Sequence, residues 1–345
     1  MQKIVTSHRW KFWLALGALS FSLVANASAD TNTLWRGVHL WLDREASARE
    51  LIQTLPALAA AGVNVLVLEV NYSFEFQTHP ELRQQHFITR ATAHELAIAS
   101  RKCGIRLIPE FNCLGHQSFN RRAEPLLKLH PDFNETPSLS LTNKSVYCLE
   151  WCPQAAGLNE IIFSLLDEIA DGFAADAVHV GMDEVYLLGA DECPRCRGKN
   201  PATLFAAQVN ALHAHLVGEK KLEMLMWADR VIGPKFQGYS KYDNARNDTS
   251  AAIDLIPKDI VLCDWHYEWK RNYPSLPLLA AKGFRVWPAG FTPLKATQAF
   301  SEFALTQRTN RVVGYLATTW NVTSISNAPN WPPIKEILPR WQKTE

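Results

Sequence analysis

The residues with the clearest chemical potential stand in one run, His179-Val180-Gly181-Met182-Asp183-Glu184. It continues an apolar stretch from Ala177 and ends on two adjacent carboxylates. Side chains alternate along an extended chain, so His179, Gly181 and Asp183 share one face, and Gly181 leaves space between the other two. Glu184 starts on the opposite face and reaches the same pocket only if the chain turns at the strand end. Two carboxylates in one apolar, Trp-lined pocket do not both ionise easily. One is pushed towards its neutral form and becomes an acid at neutral pH. An acid so placed can protonate the leaving oxygen of a glycosidic bond. Taken alone, such a pair is more often a solvated loop start, so its surroundings must decide.

Those surroundings repeat one pattern: apolar runs that end in chemically capable groups. Glu110 and Asn112, followed by His116, close one run; Trp227 and Asp229 close another. Asp264, Trp265, His266 and Tyr267 close a third, and Trp320 a fourth. The runs are short and rich in Val, Ile, Leu and Trp, as strands buried on both faces require. They predict strands at Trp35–Leu42, Asn64–Val70, Arg106–Asn112, Ala177–Glu184, Glu223–Asp229, Ile260–Tyr267, Phe284–Phe291 and Val312–Trp320. Helical periodicity separates them at Arg44–Ala61, Ala93–Lys102, Leu158–Gly172, Pro201–Val217, Leu276–Lys282, Lys295–Gln307 and Pro333–Trp341. Only Ser250–Leu255 is available as a fifth helix. Eight such units predict the α/β class and a single (β/α)8 TIM barrel, with its site at the C-terminal strand ends. An open doubly wound sheet is disfavoured, because the first strand runs into Trp41-Leu42-Asp43-Arg44 and not a glycine-rich phosphate turn.

Residues 1–29 read as a cleaved signal peptide: Lys3, Arg9 and Lys11, an apolar stretch from Phe12 to Val24, then Ala27-Ser28-Ala29. The expectation is a secreted or periplasmic protein whose catalytic barrel occupies 30–345, with no membrane attachment after cleavage. Lys plus Arg is 35 against 34 Asp plus Glu, which gives no reason to expect a nucleic-acid partner. No cofactor is expected. Twelve tryptophans is a high count, and exposed Trp faces suit sugar rings. Seven cysteines are an odd number, so at least one thiol stays free or pairs outside the chain.

The hexapeptide resembles the His-x-Gly-x-Asp-Glu signature of glycoside hydrolase family 20, the β-N-acetylhexosaminidases. Its extension through Val185-Tyr186-Leu187-Leu188-Gly189 is similar to the hexosaminidase D-like branch. Further matches follow in order: Arg36-Gly37, Ile108-Pro109-Glu110 with Gly115-His116, then Trp227 and Trp320. The resemblance implies an exo-acting enzyme that removes terminal N-acetylhexosamine from β-glycosides on oligosaccharides or glycoconjugates, with the substrate's own acetamido oxygen as nucleophile. It implies that Glu184 is the acid and then the base, and that Asp183 polarises the 2-acetamido group. It also implies that Arg36 binds sugar hydroxyls, that Trp227, Trp265 and Trp320 wall the acetamido pocket, and that His116 and His179 orient the carboxylates. Asp229 joins the sugar-binding set, and Glu110 the supporting one. The sequence departs from the family pattern at Met182, Asn112, Leu114 and Asn321, and the tyrosine expected after strand seven is missing; Tyr267 is a substitute for its hydroxyl.

Two alternatives stay open. The barrel could bind carbohydrate without turnover, or work as a conventional glycosidase with Glu110 and Glu184 as its two carboxylates. Several residues have plainer readings: Trp35, Trp41 and Trp287 as packing, His39 and His266 as structural histidines, Glu69 as half of a buried ion pair. Cys193-Pro194-Arg195-Cys196 looks like half of a zinc knuckle, with Cys148 and Cys152 able to supply two more ligands. In an oxidising compartment disulfides among these four are the stronger expectation, and no metal belongs to the site set.

Overall fold

The computed structural model describes residues 33–119, 122–236, 238–320 and 324–342. The predicted signal segment and Asn321 lie outside the described residues. Eight parallel strands close into a barrel. They are β1 Trp35–Trp41, β2 Val65–Glu69, β3 Arg106–Cys113, β4 Ala177–Gly181, β5 Glu223–Trp227, β6 Val261–Trp265, β7 Arg285–Gly290 and β8 Gly314–Thr318. Closure runs through β1 and β8, where Trp35 pairs with Gly314 and His39 with Thr318. All eight predicted strands are present. Most are shorter than expected, because the backbone leaves the ladder where the polar strand-end groups begin.

Helices cover the barrel where apolar periodicity places them. Leu158–Gly172 coincides with its predicted span and buries Ile162, Leu165, Leu166 and Ile169. Each fully buried side chain of this kind contributes about 1.5–3 kcal/mol. The second helix starts earlier than expected, at Arg90, because the Thr89 hydroxyl accepts from the Thr92 amide and caps it. The fifth unit has only a 3₁₀ segment, Thr249–Asp254.

The barrel interior changes character along its axis. Val65, Val67, Ile108, Ala177, Leu225, Val261, Trp287 and Leu316 belong to one apolar interior cluster. Towards the C-terminal ends the side chains become His39, Glu69, Glu110 and His179, all buried. Register brings them together: Glu69 pairs with Glu110, and Glu110 with His179. Two long connections cap this end. One follows β3 and carries a short hairpin, Ser118–Phe119 with Arg122–Ala123, and a bridge between Asn134 and Trp151. The other follows β4, from Met182 to Asn200.

Candidate active site

The turn that Glu184 needs is made by left-handed backbone. Gly181, Met182 and Glu184 have φ of 66°, 73° and 51°. On the facing connection Leu114 and His116 have φ of 67° and 56°. Non-glycine residues seldom hold such angles, and a group of them marks a backbone held in place by its surroundings. Gly181 is required twice over: a Cβ there would lie 2.5 Å from Asn112 Oδ1 and 2.9 Å from Asn112 Cα. Gly115 lets the two connections touch, since its Cβ would sit 2.6 Å from the Asp183 carbonyl oxygen.

This geometry puts the two carboxylates on one histidine. His116 Nε2 lies 3.1 Å from Asp183 Oδ2 and 3.1 Å from Glu184 Oε2. Burial works against a charge on His116, but Asp183 above all holds its pKa well above the ordinary histidine value. The cation therefore offsets the repulsion between the two acids. Tyr186 donates to Glu184 Oε1 at 3.1 Å. Asp183 Oδ1 is buried and has no hydrogen-bond partner. An orphaned carboxylate oxygen costs free energy unless a ligand donates to it.

Behind the pair, Asp229 Oδ2 accepts from the Glu184 amide at 2.9 Å and from Arg230 Nε at 2.6 Å. Burial pushes the Asp229 carboxyl up to about 6, with Arg230 pulling it down. Trp265 Nε1 reaches its other oxygen at 3.3 Å. A separate buried network surrounds Glu110. Trp227 Nε1 donates to Glu110 Oε1 at 2.8 Å, His179 Nδ1 lies 3.1 Å from the same oxygen, and His39 Nε2 lies 3.0 Å from Oε2. Burial would raise the Glu110 pKa, but His179 and His39 hold it well below the usual carboxylate range. His39 in turn is raised to about 9, its burial outweighed by Glu110. Trp320 covers this network, its ring 4.3 Å from that of His39 and 6.3 Å from that of Trp227. Trp320 Nε1 donates to the Tyr267 hydroxyl at 2.8 Å.

An acid pair at the end of β4, an aromatic wall from β5, β6 and β8, and a closed barrel now stand together. From residue 34 to residue 322 the sequence matches the model of "Glycosyl hydrolase family 20, catalytic domain". The chain belongs to glycosyl hydrolase family 20. It is 27% identical over 272 residues to a β-hexosaminidase of Vibrio furnissii, an alignment that covers 76% of this chain and 39% of that protein. The chain thus spans well under half of that curated relative. Among solved structures it resembles a Flavobacterium johnsoniae chitobiase, with TM-score 0.66, 18% identity, and 90% of this chain and 48% of that one covered. A crystal structure described as a β-N-acetylhexosaminidase gives TM-score 0.68 at 17% identity, over 90% of this chain and 72% of the other. At these identities the two solved structures bear on the fold.

Within the family 20 domain, the structure brings Asp183, Glu184, His116, Asp229, Trp265, Tyr267, Trp227 and Trp320 to one end of the barrel. Four sequence expectations change. Arg36 is not in the pocket: it sits near the start of β1, its Nε donates to the Gly62 carbonyl at 2.7 Å, and its side chain has the parity opposite to His39. The guanidinium is held at the far end of the strand from the carboxylates. Asp229 is buried with both oxygens taken inside the protein, accepting from the Glu184 amide, Arg230 and Trp265, so it holds the backbone at Glu184 and is not placed to bind a sugar hydroxyl. His179 contacts Glu110 and not the acid pair. Trp41 is 59% exposed at the end of β1, where packing was expected.

The cysteines also differ from expectation. All seven are unpaired, and Cys148 Sγ points to the Glu184 carbonyl oxygen at 3.4 Å, apart from the other three. Sequence reasoning missed Glu150, whose Oε1 accepts from the Tyr186 and Leu187 amides and holds the β4 connection. It also missed Glu135, whose Oε1 accepts from the Gly189 amide at 2.8 Å. Neither lies in a motif; each is a lone acid in a long connection. The tyrosines Tyr147, Tyr186 and Tyr242, whose rings lie 5.8–6.4 Å apart, come together from separate connections and leave no pattern in the sequence.

Proposed function

We propose that this chain is an exo-acting β-N-acetylhexosaminidase that works by substrate-assisted, retaining catalysis. The observation that carries the reading is the orphaned, buried Asp183 Oδ1 beside Glu184. It is an acceptor without a donor, and the N–H of a 2-acetamido group is a donor of the right kind. In the first step the acetamido oxygen attacks C1 while Glu184 gives its proton to the glycosidic oxygen. The C1–O bond breaks, the alcohol leaves, and a cyclic oxazolinium forms. Asp183 accepts the amide N–H and stabilises the positive charge developing on the nitrogen. In the second step Glu184 takes a proton from water, the water oxygen attacks C1, and the ring opens to product with the original anomeric configuration. The intramolecular nucleophile replaces several kcal/mol of barrier by proximity. His116 lies between both carboxylates and holds their relative position.

Trp227, Trp265 and Trp320, with the Tyr267 hydroxyl, wall the acetamido group in this reading. Tyr147 and Tyr242, 45% and 37% exposed, cluster with Tyr186, which donates to Glu184, and in this reading they would meet the leaving group. A conventional two-carboxylate mechanism through Glu110 is disfavoured, because both Glu110 oxygens already face His39, His179 or Trp227. The substrate class is a glycan or glycoconjugate ending in β-linked N-acetylhexosamine. The first 29 residues make export, to the periplasm or beyond the cell, part of the proposal. The deciding experiment compares aryl β-glycosides with and without the 2-acetamido group. Turnover confined to the acetamido sugars supports the mechanism; comparable hydrolysis of the matching 2-hydroxy glucoside, or a glycosyl ester trapped on Glu110, overturns it.

A further inference from the structure

Three of the seven cysteines meet a buried acid at one point outside the carboxylate pair. The sulfurs of Cys152, Cys193 and Cys196 and a carboxylate oxygen of Glu135 all lie within 4.8 Å of one another, and all four residues are buried. Cys152 Sγ is 3.3 Å from Cys196 Sγ and 3.5 Å from Cys193 Sγ. A tetrahedral zinc with Zn–S bonds of about 2.3 Å places its sulfurs roughly 3.7 Å apart, close to these separations. Glu135 Oε1 is used by the Gly189 amide, while Oε2 is buried and has no hydrogen-bond partner. Hydrogen-bond donors already reach two of the three sulfurs. Arg195 Nε lies 3.2 Å from Cys152 Sγ, and the amides of Arg195 and Cys196 point at Cys193 Sγ.

We propose that Glu135, Cys152, Cys193 and Cys196 form a closed, four-ligand zinc site that clamps the β4 connection to the β3 connection. Three thiolates and a carboxylate satisfy zinc's preference for four N, S or O ligands, and no position is left open for chemistry. A disulfide answers the same residues less well. One bond uses two sulfurs, strands the third thiol, and leaves Glu135 Oε2 buried without a counter-charge. The ion would join Cys193 and Cys196, which follow the acid pair on one connection, to Glu135 and Cys152 on the other. Glu135 and Glu150 already bind the Gly189, Tyr186 and Leu187 amides of that connection. The clamp therefore lies in the segment that fixes the backbone beyond Glu184. Such a clamp would hold the connection whichever sugar, if any, is cleaved.

The test uses the full chain purified without chelators and analysed by elemental mass spectrometry. One zinc per chain is expected. Cys103→Ser, a partly exposed cysteine outside the cluster, should keep it. Glu135→Gln should weaken zinc binding by at least about tenfold, and Cys193→Ser should lower zinc below one tenth per chain. Should these variants fail to fold, reduced wild-type protein stripped of metal is titrated with cobalt(II). A stoichiometric thiolate-to-cobalt charge-transfer band with tetrahedral d–d absorption, displaced by zinc, supports the site. Purified protein with no stoichiometric zinc and a mapped disulfide among the three cysteines overturns it. So does reduced, metal-free protein that gives no thiolate–cobalt band.

Discussion

Replacing Asp183 by Asn tests the proposed chemistry with the least change in shape. Asp183 Oδ1 has no partner in the protein, so in the substrate complex its whole interaction is with the ligand. The amide still accepts a hydrogen bond but brings no charge against the developing oxazolinium. Losing one preorganised electrostatic contact of this kind costs about 2.7–4 kcal/mol in the transition state, or roughly 10²–10³ in kcat. The ground-state substrate carries no charge on its amide, so KM should change by much less. A second effect follows from His116, whose proton is retained against burial by Asp183 first of all. With that charge gone the His116 pKa falls, and the alkaline limb of the kcat/KM profile should move to lower pH. The assay is steady-state kinetics on nitrophenyl 2-acetamido-β-glycosides across pH, with circular dichroism and thermal melting to confirm an intact fold. An unchanged kcat, or a large rise in KM with kcat preserved, would refute the role given to Asp183.

Glu184→Gln should reduce turnover of an alkyl glycoside far more than that of an aryl glycoside with a good leaving group, because the latter needs less protonation; equal losses on both in a folded variant count against Glu184 as the acid. Glu110→Gln should destabilise the protein by about 3–5 kcal/mol in denaturant unfolding, since it leaves His39 without its buried counter-charge. His39 is raised to about 9 when folded, so its ion pair stabilises fully below the unfolded value near 6.5 and is lost as pH rises through 9. The unfolding midpoint of the wild type should therefore fall between pH 7 and pH 9.5, and a flat profile would exclude a charged His39. Gly181→Ala should cost about 1–2 kcal/mol from its φ of 66° alone, with further loss from the clash at Asn112, read as a lower melting temperature together with lower kcat. Arg36→Gln should lower the melting temperature while leaving KM unchanged; a raised KM would return Arg36 to the pocket.

The barrel was legible in the sequence because its strands are buried on both faces and so read as plain apolar runs, from Asn64–Val70 to Val312–Trp320. The helix at Leu158–Gly172 was legible for the matching reason: one apolar stripe must meet the sheet. The acid pair could be located because it closes an apolar strand run, and Gly181, two residues before Asp183, leaves space on the face the two share. Such constraints are local, and local constraints leave a pattern in a single chain. What each polar residue touches is not local. Asp229 follows β5 much as a ligand would, yet the β4 connection lowers the Glu184 amide onto it. Arg36 sits in a matching motif, but strand parity and the Gly62 carbonyl hold it away from the pocket. Cys148 and Cys152 are four residues apart, yet only Cys152 joins Cys193 and Cys196, together with Glu135 from earlier in the same connection, while Cys148 turns to the Glu184 carbonyl. The sequence alone determined which elements form and where the carboxylates must lie. Only tertiary packing decided which buried donor meets which acceptor, because those pairings join residues tens of positions apart and depend on how two long connections fold over the barrel mouth.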